Sequence, residues 1–354
     1  MRSAGYLRRS ASYTSKELAM AADESSTATV PALLSGWRAL RSSVRLESLL
    51  VLAILIVALS FLSPYFLSVS NFLNILLATS VIGVLGFGAT FVIAAAGIDL
   101  SLGSVLALSG VVGALSANAL NAPWPLAILI CLAVGAFCGL INGVLNAKVG
   151  IPAFIVTLGM LGVARGLGLV LTNGQPVYGM PDPIVFLGQG RVFLSAKVGI
   201  PIPVFVFLAV AVIAHFVLAY TRFGKYALVI GDNETAARAM GIRVERHRVG
   251  LYVVSGTLAG LAGLLFLARV NSGDPTAGLN YELTAITAAI LGGSNLFGGR
   301  ASVLGTLIGA LVMGVLQNGL NLLAVSSFYQ QMAIGAVLVL AVWLDQVNRA
   351  RGQR

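Results

Sequence analysis

The chain has 354 residues, of which 58% are hydrophobic and only 10% charged, with a mean hydropathy of +0.95 and a formal net charge of +10. Soluble globular domains carry about 25% charged residues, so the composition excludes a soluble domain and indicates a polytopic membrane protein. The basic excess does not indicate nucleic acid, because Lys and Arg gather at the ends of apolar segments without interleaved aromatics, as a membrane-topology signal does.

Residues 1–46 are Ser/Ala-rich, with scattered charges and no apolar core of signal-peptide length. They read as a cytoplasmic, disordered tail rather than a cleaved leader. Ten apolar stretches follow, at 48–67, 74–96, 101–119, 124–146, 152–172, 202–221, 250–269, 283–297, 302–323 and 327–344. Most approach the ~20 residues that a helix needs to cross a bilayer. The expected fold is therefore all-α: a transmembrane domain over 47–345 of about ten helices, closed by a basic cytoplasmic tail at 346–354. Placing the N-terminus inside puts 18 Lys/Arg on the inner side, six of them in the 222–249 loop, and only Arg191 and Lys197 outside. That asymmetry sets both termini and the 222–249 loop in the cytoplasm. The stretch 283–297 would be only about 23 Å long as a helix, short of a ~30 Å core; it borrows residues from Leu279 onward or is a half-helix.

Two Gly-rich segments resemble one another. "GIDLSLGSVLALSGVVGAL" (97–115) and "GSNLFGGRASVLGTLIGAL" (293–311) align without gaps over 19 positions with seven identities, Gly103/Gly299 among them. Such a candidate repeat, with short broken helices in both copies, points to a transporter's substrate path. By parity of the crossings the two copies run parallel. Asp99 and Asn295 share a column, and Asp99, Ser101, Asn295 and Phe297 are candidate pathway residues. Asp99 has a second reading as a cap for the helix that follows it. Gln317, Asn318 and Asn321 interrupt an apolar run, with Gln317 and Asn321 on one helix face; they read as interhelical hydrogen bonds or as pathway lining. Arg165, a charge in mid-span, faces protein or water rather than lipid. Cys131 and Cys138 lack any disulfide or metal pattern and read as small core residues.

The segment from Arg222 to Arg248 concentrates charge in an otherwise apolar chain. Within it "NETAARAMG" reads as a short helix: Asp232 or Asn233 caps it, Glu234 occupies its first turn, and Gly241 supplies a left-handed stop. Ala236 and Met240 fall on one small apolar face, suited to another protein's groove. No phosphate-binding loop of the GxxxxGK[ST] type occurs, so this chain is not expected to bind ATP itself. Nor does the sequence hold an activated nucleophile, paired carboxylates or a metal cluster, which disfavours an enzyme.

"GIDLSLGSVLALSG" (97–110), "KVGIPAFIVTLGML" (148–161), "GDNETAARAMGIRV" (231–244) and "LGGSNLFGGRASVLGTLIGALVMGVLQNGLNLL" (291–323) resemble, in the right order, the marked segments of the ribose/xylose/galactoside permease family of ATP-binding-cassette sugar importers. The resemblance covers roughly 48–345. It implies a multi-pass permease of the bacterial inner membrane that works as a homodimer and takes up ribose or a related monosaccharide. It further implies a cytoplasmic ATP-binding subunit, which holds the ATP and Mg, and a periplasmic sugar-binding protein. By motif match it places ATPase coupling on Glu234, Ala236, Ala237, Gly241 and Ile242, with Met240 beside Ala236. An ion-coupled secondary transporter or facilitator is the alternative; buried mid-span acids would favour it, and Asp99 and Glu282 sit near span ends.

Overall fold

The computed structural model describes residues 46–195 and 198–352, so the expected tail at 1–46 lies essentially outside the described residues. Thirteen helices and four short strands are described. Each of the ten apolar stretches contains one helix: α1 (Leu46–Leu62), α2 (Val69–Ala94), α3 (Leu102–Asn118), α4 (Trp124–Ala147), α5 (Ala153–Thr172), α7 (Ile202–Tyr220), α10 (Val244–Val270), α11 (Tyr281–Leu291), α12 (Val303–Leu322) and α13 (Ser327–Gly352). Three helices lie between them, α6 (Asp182–Gln189), α8 (Arg222–Asp232) and α9 (Glu234–Ala239). Six helices, α2, α4, α5, α7, α10 and α12, are long and apolar enough to cross a membrane; α1, α3 and α11 are shorter, as is the apolar part of α13, Ser327–Trp343.

Helix ends follow local chemistry. Ser68, Thr221, Asn233 and Ser302 each accept a backbone N–H of the first turn they precede, for α2, α8, α9 and α12. Pro sits at the first turns of α4, α6 and α7, where its missing N–H costs nothing. Asn173 and Asn271 close α5 and α10 in the left-handed conformation.

The core is built on close helix contact. On α4, Gly135 and Gly139 lie against Gly256, Gly260 and Tyr252 of α10, with no room for a Cβ, the small-residue packing that membrane helices use. Apolar helices consecutive in the chain run in alternating directions. At one end, which we call the Asn233 end, lie Ala94 of α2, Arg248 of α10 and the junction of α8 with α9. At the opposite end a hairpin of β2 (Arg191–Ser195) and β3 (Val198–Pro201) leads into α7. Ser48 of α1 bonds the carbonyl of Leu291 at the Asn233 end, and Leu59 packs on Gly319 toward the hairpin end.

Of the two readings of 283–297, the half-helix is the one observed. The apolar stretch 283–297 is helical only to Leu291, so α11 is an 11-residue half-helix, about 16 Å long. The chain reaches it from the hairpin end in non-helical form: β4 (Ser272–Gly273) pairs with β1 (Val177–Tyr178), and residues 274–280 then descend along α3. Residues 346–352 are helical, since α13 continues through them to Gly352.

Candidate functional site

The two Gly-rich segments form matching breaks. Between α2 and α3, residues 95–101 are non-helical; between α11 and α12, so are residues 292–302. Asp99 Oδ1 accepts the N–H of Ser101 at 3.0 Å, and Asn295 Oδ1 accepts the N–H of Phe297 at 3.1 Å. The two residues that share an alignment column thus make the same turn, closing on the residue two positions on. The helices after the breaks run in the same direction. α12 is antiparallel to α2, since Thr90 meets Thr306 at 2.7 Å while Asn71 meets Asn318 at 2.8 Å. α3 is likewise antiparallel to α2, which it follows across the first break, and parallel to α10. The parallel relation drawn from the sequence therefore agrees with the geometry.

The candidate pathway residues are not gathered around one opening. Both oxygens of the buried Asp99 are engaged: Oδ1 by Ser101 N and Oγ, and Oδ2 by Ser255 Oγ at 2.9 Å. Ser101 Oγ also accepts from Asn142 Nδ2 at 3.0 Å. Asp99 and Ser101 therefore tie the first break to α4 and α10, and in this conformation offer a substrate nothing. Asn295 is buried and spends its side chain on its own loop, donating to Gly298 O at 2.7 Å. Phe297, next to it, is exposed. Asn318 bonds Asn71, and Asn321 accepts from Gln330 of α13 at 2.8 Å; Gln317 is half-buried on the same helix. These three lie toward the hairpin end, far from Asp99, and the hydrogen bonds of Asn318 and Asn321 are interhelical.

Arg165, whose role the sequence left open, donates from Nη1 to the carbonyls of Pro275 at 2.6 Å and Ala277 at 2.8 Å. It holds the non-helical approach to α11. Only the mid-span charge signalled its importance.

At the Asn233 end, α9 is presented as a stiff projection. Asn233, not Asp232, caps it, accepting Ala236 N at 2.9 Å. Gly241 adopts φ +78° just after it. Glu234 accepts from Arg238 at 2.8 Å and from Arg248 at 2.6 Å, and Arg238 also meets Glu245. This network braces α9 against the first turns of α10. The Arg238 guanidinium beside Glu234 holds its carboxyl below the usual range, with Arg248 adding to the effect. Ala236, Met240 and Gly241 are exposed, Met240 at 63%, while Glu234 and Ile242 are partly covered. Ala237 departs from expectation. It is 0% exposed and packs into the chain's own core, so it cannot be a contact for another protein. The reason is the helical period: α9 must turn one side to the bundle, and Ala237 is on it. Beside α9 opens a groove lined by Phe223, Tyr226, Ile242, Arg243, Arg246 and His247. Of these only Ile242 was named from the sequence; Phe223 and Tyr226 were missed because α8 was not recognised as a helix.

The projection also meets both breaks. Gly231, at the end of α8, lies against the carbonyl of Ala94 and the N–H of Gly299, and Gly299 N donates to Ala94 O at 3.1 Å. Gly298 in turn rests on Gly231.

Residues 71–342 match the family described as "Branched-chain amino acid transport system / permease component". The chain belongs to this permease family. Among curated proteins it is 44% identical to the ribose import permease protein RbsC of Escherichia coli K12 over 307 residues, covering 84% of this chain and 92% of the relative. It is 43% identical to the RbsC protein of Bacillus subtilis, covering 86% and 94%, and 38% identical to the D-allose transport system permease protein AlsC of E. coli K12, covering 84% and 90%. No solved structure matches the permease. The chain is thus a multi-pass transport subunit of a bacterial inner membrane.

Proposed function

We propose that this permease is the membrane subunit of an ATP-binding-cassette importer that moves a monosaccharide, ribose or a close relative, into the cytoplasm. The sugar class rests on the relatives, whose names include ribose, allose, xylose and arabinose transport. The observation that carries the mechanism is the seat of Gly231 between the two breaks: a displacement of α8 and α9 reaches both halves of the bundle through backbone contacts. In this reading α9 is the docking element for a cytoplasmic ATP-binding subunit. That partner binds and hydrolyses ATP with Mg, and it contacts Ala236, Met240, Gly241 and the adjoining aromatic groove. Two copies of the chain enclose one pathway, and a periplasmic sugar-binding protein delivers substrate to the hairpin end. We assign the chain ten crossings, the eighth made of residues 272–280 plus α11, with both termini cytoplasmic. Lys148, Arg300 and the six basic residues of 222–249 all lie at the Asn233 end, as the positive-inside rule requires.

The test is reconstitution of the permease with its ATP-binding and sugar-binding partners in proteoliposomes. Labelled ribose, allose and xylose should enter only with ATP inside the compartment that the Asn233 end faces. Uptake driven by an ion gradient without the ATP-binding subunit would refute the proposal. Single cysteines at Asn173 and Asn233 should label from opposite sides.

A further inference from the structure

Residues 274–280 are non-helical at membrane depth. Gly273 packs on Val111 and Ala114 of α3, and Gly278 on Gly103 and Leu106, so the segment follows most of that buried helix. In hydrocarbon every backbone polar group needs an internal partner, and each one left open costs several kcal/mol; irregular backbone survives there only when buried in protein or facing water. One face of this segment, with Pro275, Ala277 and Gly278, is buried, but the other is not. Thr276 is exposed and Leu279 is 59% exposed, while Asp274 and Asn280 are partly so. The N–H groups of Leu279 and Asn280 have no backbone acceptor among the described residues. Lipid therefore cannot be what this face meets.

A second protein surface or water remains, and the chemistry favours water. Asp274 uses Oδ1 to accept Thr276 N and Oγ, both at 2.7 Å, in an exposed turn. A partly exposed carboxylate inside the membrane is costly unless water reaches it. Arg165, the nearby cation, is spent on the carbonyls of Pro275 and Ala277. The segment thus carries backbone N–H donors and side-chain hydroxyl and amide groups, and none of residues 274–280 is itself a cation.

We propose that residues 274–280, held by Arg165, form a wall of the substrate pathway that is wet and built for a neutral polyhydroxylated solute, with Thr276 and Leu279 at its surface. The proposal deepens the importer reading above and rests on it for the substrate class. Half-helix α11 has a reason in this account: the chain gives up helical hydrogen bonds where the path needs open backbone donors, and resumes the helix at Tyr281. The same segment separates substrates. A sugar can replace water at N–H and hydroxyl groups, whereas an amino-acid zwitterion finds no counter-ion for its carboxylate among residues 274–280.

The experiment places single thiols by Thr276→Cys and Leu279→Cys, with Val212→Cys on the exposed face of α7 as the lipid-facing reference. Native Cys131 and Cys138 are buried and serve as the silent background. The complete transporter, turning over ATP in membrane vesicles, is treated with a charged methanethiosulfonate, which reacts with thiolate in water. Both new thiols should react at least about tenfold faster than the reference, since a thiol in lipid stays protonated, and the reaction should stop sugar uptake. Rates equal to the reference overturn the proposal. So does a copy-to-copy disulfide through Leu279→Cys without labelling, which would make the segment a dry seam. Uptake by the unlabelled variants reports separately on the importer reading: ATP-independent uptake refutes that reading while fast labelling still stands for the wet wall.

Discussion

Gly231→Ala is the smallest change that tests how α8 communicates with the membrane helices. An ideal Cβ at this position would overlap the carbonyl oxygen of Ala94, lie 2.6 Å from Gly299 N and reach 3.0 Å from the Ala94 carbonyl carbon. All three are backbone atoms at the two breaks, so no side-chain rotation relieves the overlap, and α8 must withdraw from one break or both. Adding one carbon to a closely packed site costs about 1–3 kcal/mol. A shift of that size in a coupling equilibrium corresponds to about 5–150-fold. It is too small to unfold a bundle of this size, so membrane abundance should stay near that of the unaltered protein. Uptake of labelled sugar by reconstituted transporter should fall at least about 5-fold, the lower end of that range. Stimulation of the ATPase by loaded binding protein should weaken in parallel. Gly335→Ala on α13, where a Cβ meets nothing within 4 Å, is the control; it should be neutral or slightly stabilising, by roughly 0.5–1 kcal/mol. Full uptake by Gly231→Ala, with normal ATPase stimulation, would show that the contact between α8 and the breaks transmits nothing.

Adjacent alanines of α9 should separate by outcome. Ala236→Arg, on the exposed face, should leave abundance intact and lose co-purification of the ATP-binding subunit; Ala237→Arg forces a charge into the core at a cost of several kcal/mol, and abundance in membranes should drop. The reverse ranking would contradict the assigned faces. The Glu234 network should be pH-dependent with a defined sign: its folded-state pKa lies below the ordinary value of 4.5, so its contribution is complete above about 4.5 and is lost as pH falls through the folded value. Hydrogen exchange across 234–248 should therefore be protected evenly from pH 7 to 5 and loosen below that, with Glu234→Gln already loose at pH 7. Arg165→Leu leaves the Pro275 and Ala277 carbonyls without their donor, about 1–3 kcal/mol for each buried acceptor. Protease nicking near 274–280 and reduced uptake should follow, and unchanged nicking would remove Arg165 from its holding role.

Much of this architecture follows from periodicity and composition alone. Ten apolar stretches each yielded a helix, because in a bilayer a long apolar run has no other way to satisfy its backbone. The cap at Asn233, the stop at Gly241 and the matched positions of Asp99 and Asn295 were legible for a similar reason: they depend on residues two or three apart, and local hydrogen bonding decides them. What the sequence could not supply was direction in space. Ala236 and Ala237 are chemically identical neighbours, and only the packing of α9 against the bundle sends one outward and the other into the core. Asp99 could be read as a cap or as a substrate ligand until Ser255, 156 positions away, occupied its second oxygen. Arg165 announced itself as a charge in mid-span, yet its partners are carbonyls more than a hundred residues on, and a backbone carbonyl leaves no mark in sequence. The open segment at 274–280 was equally silent, since whether a backbone donor is free depends on which distant chain passes beside it.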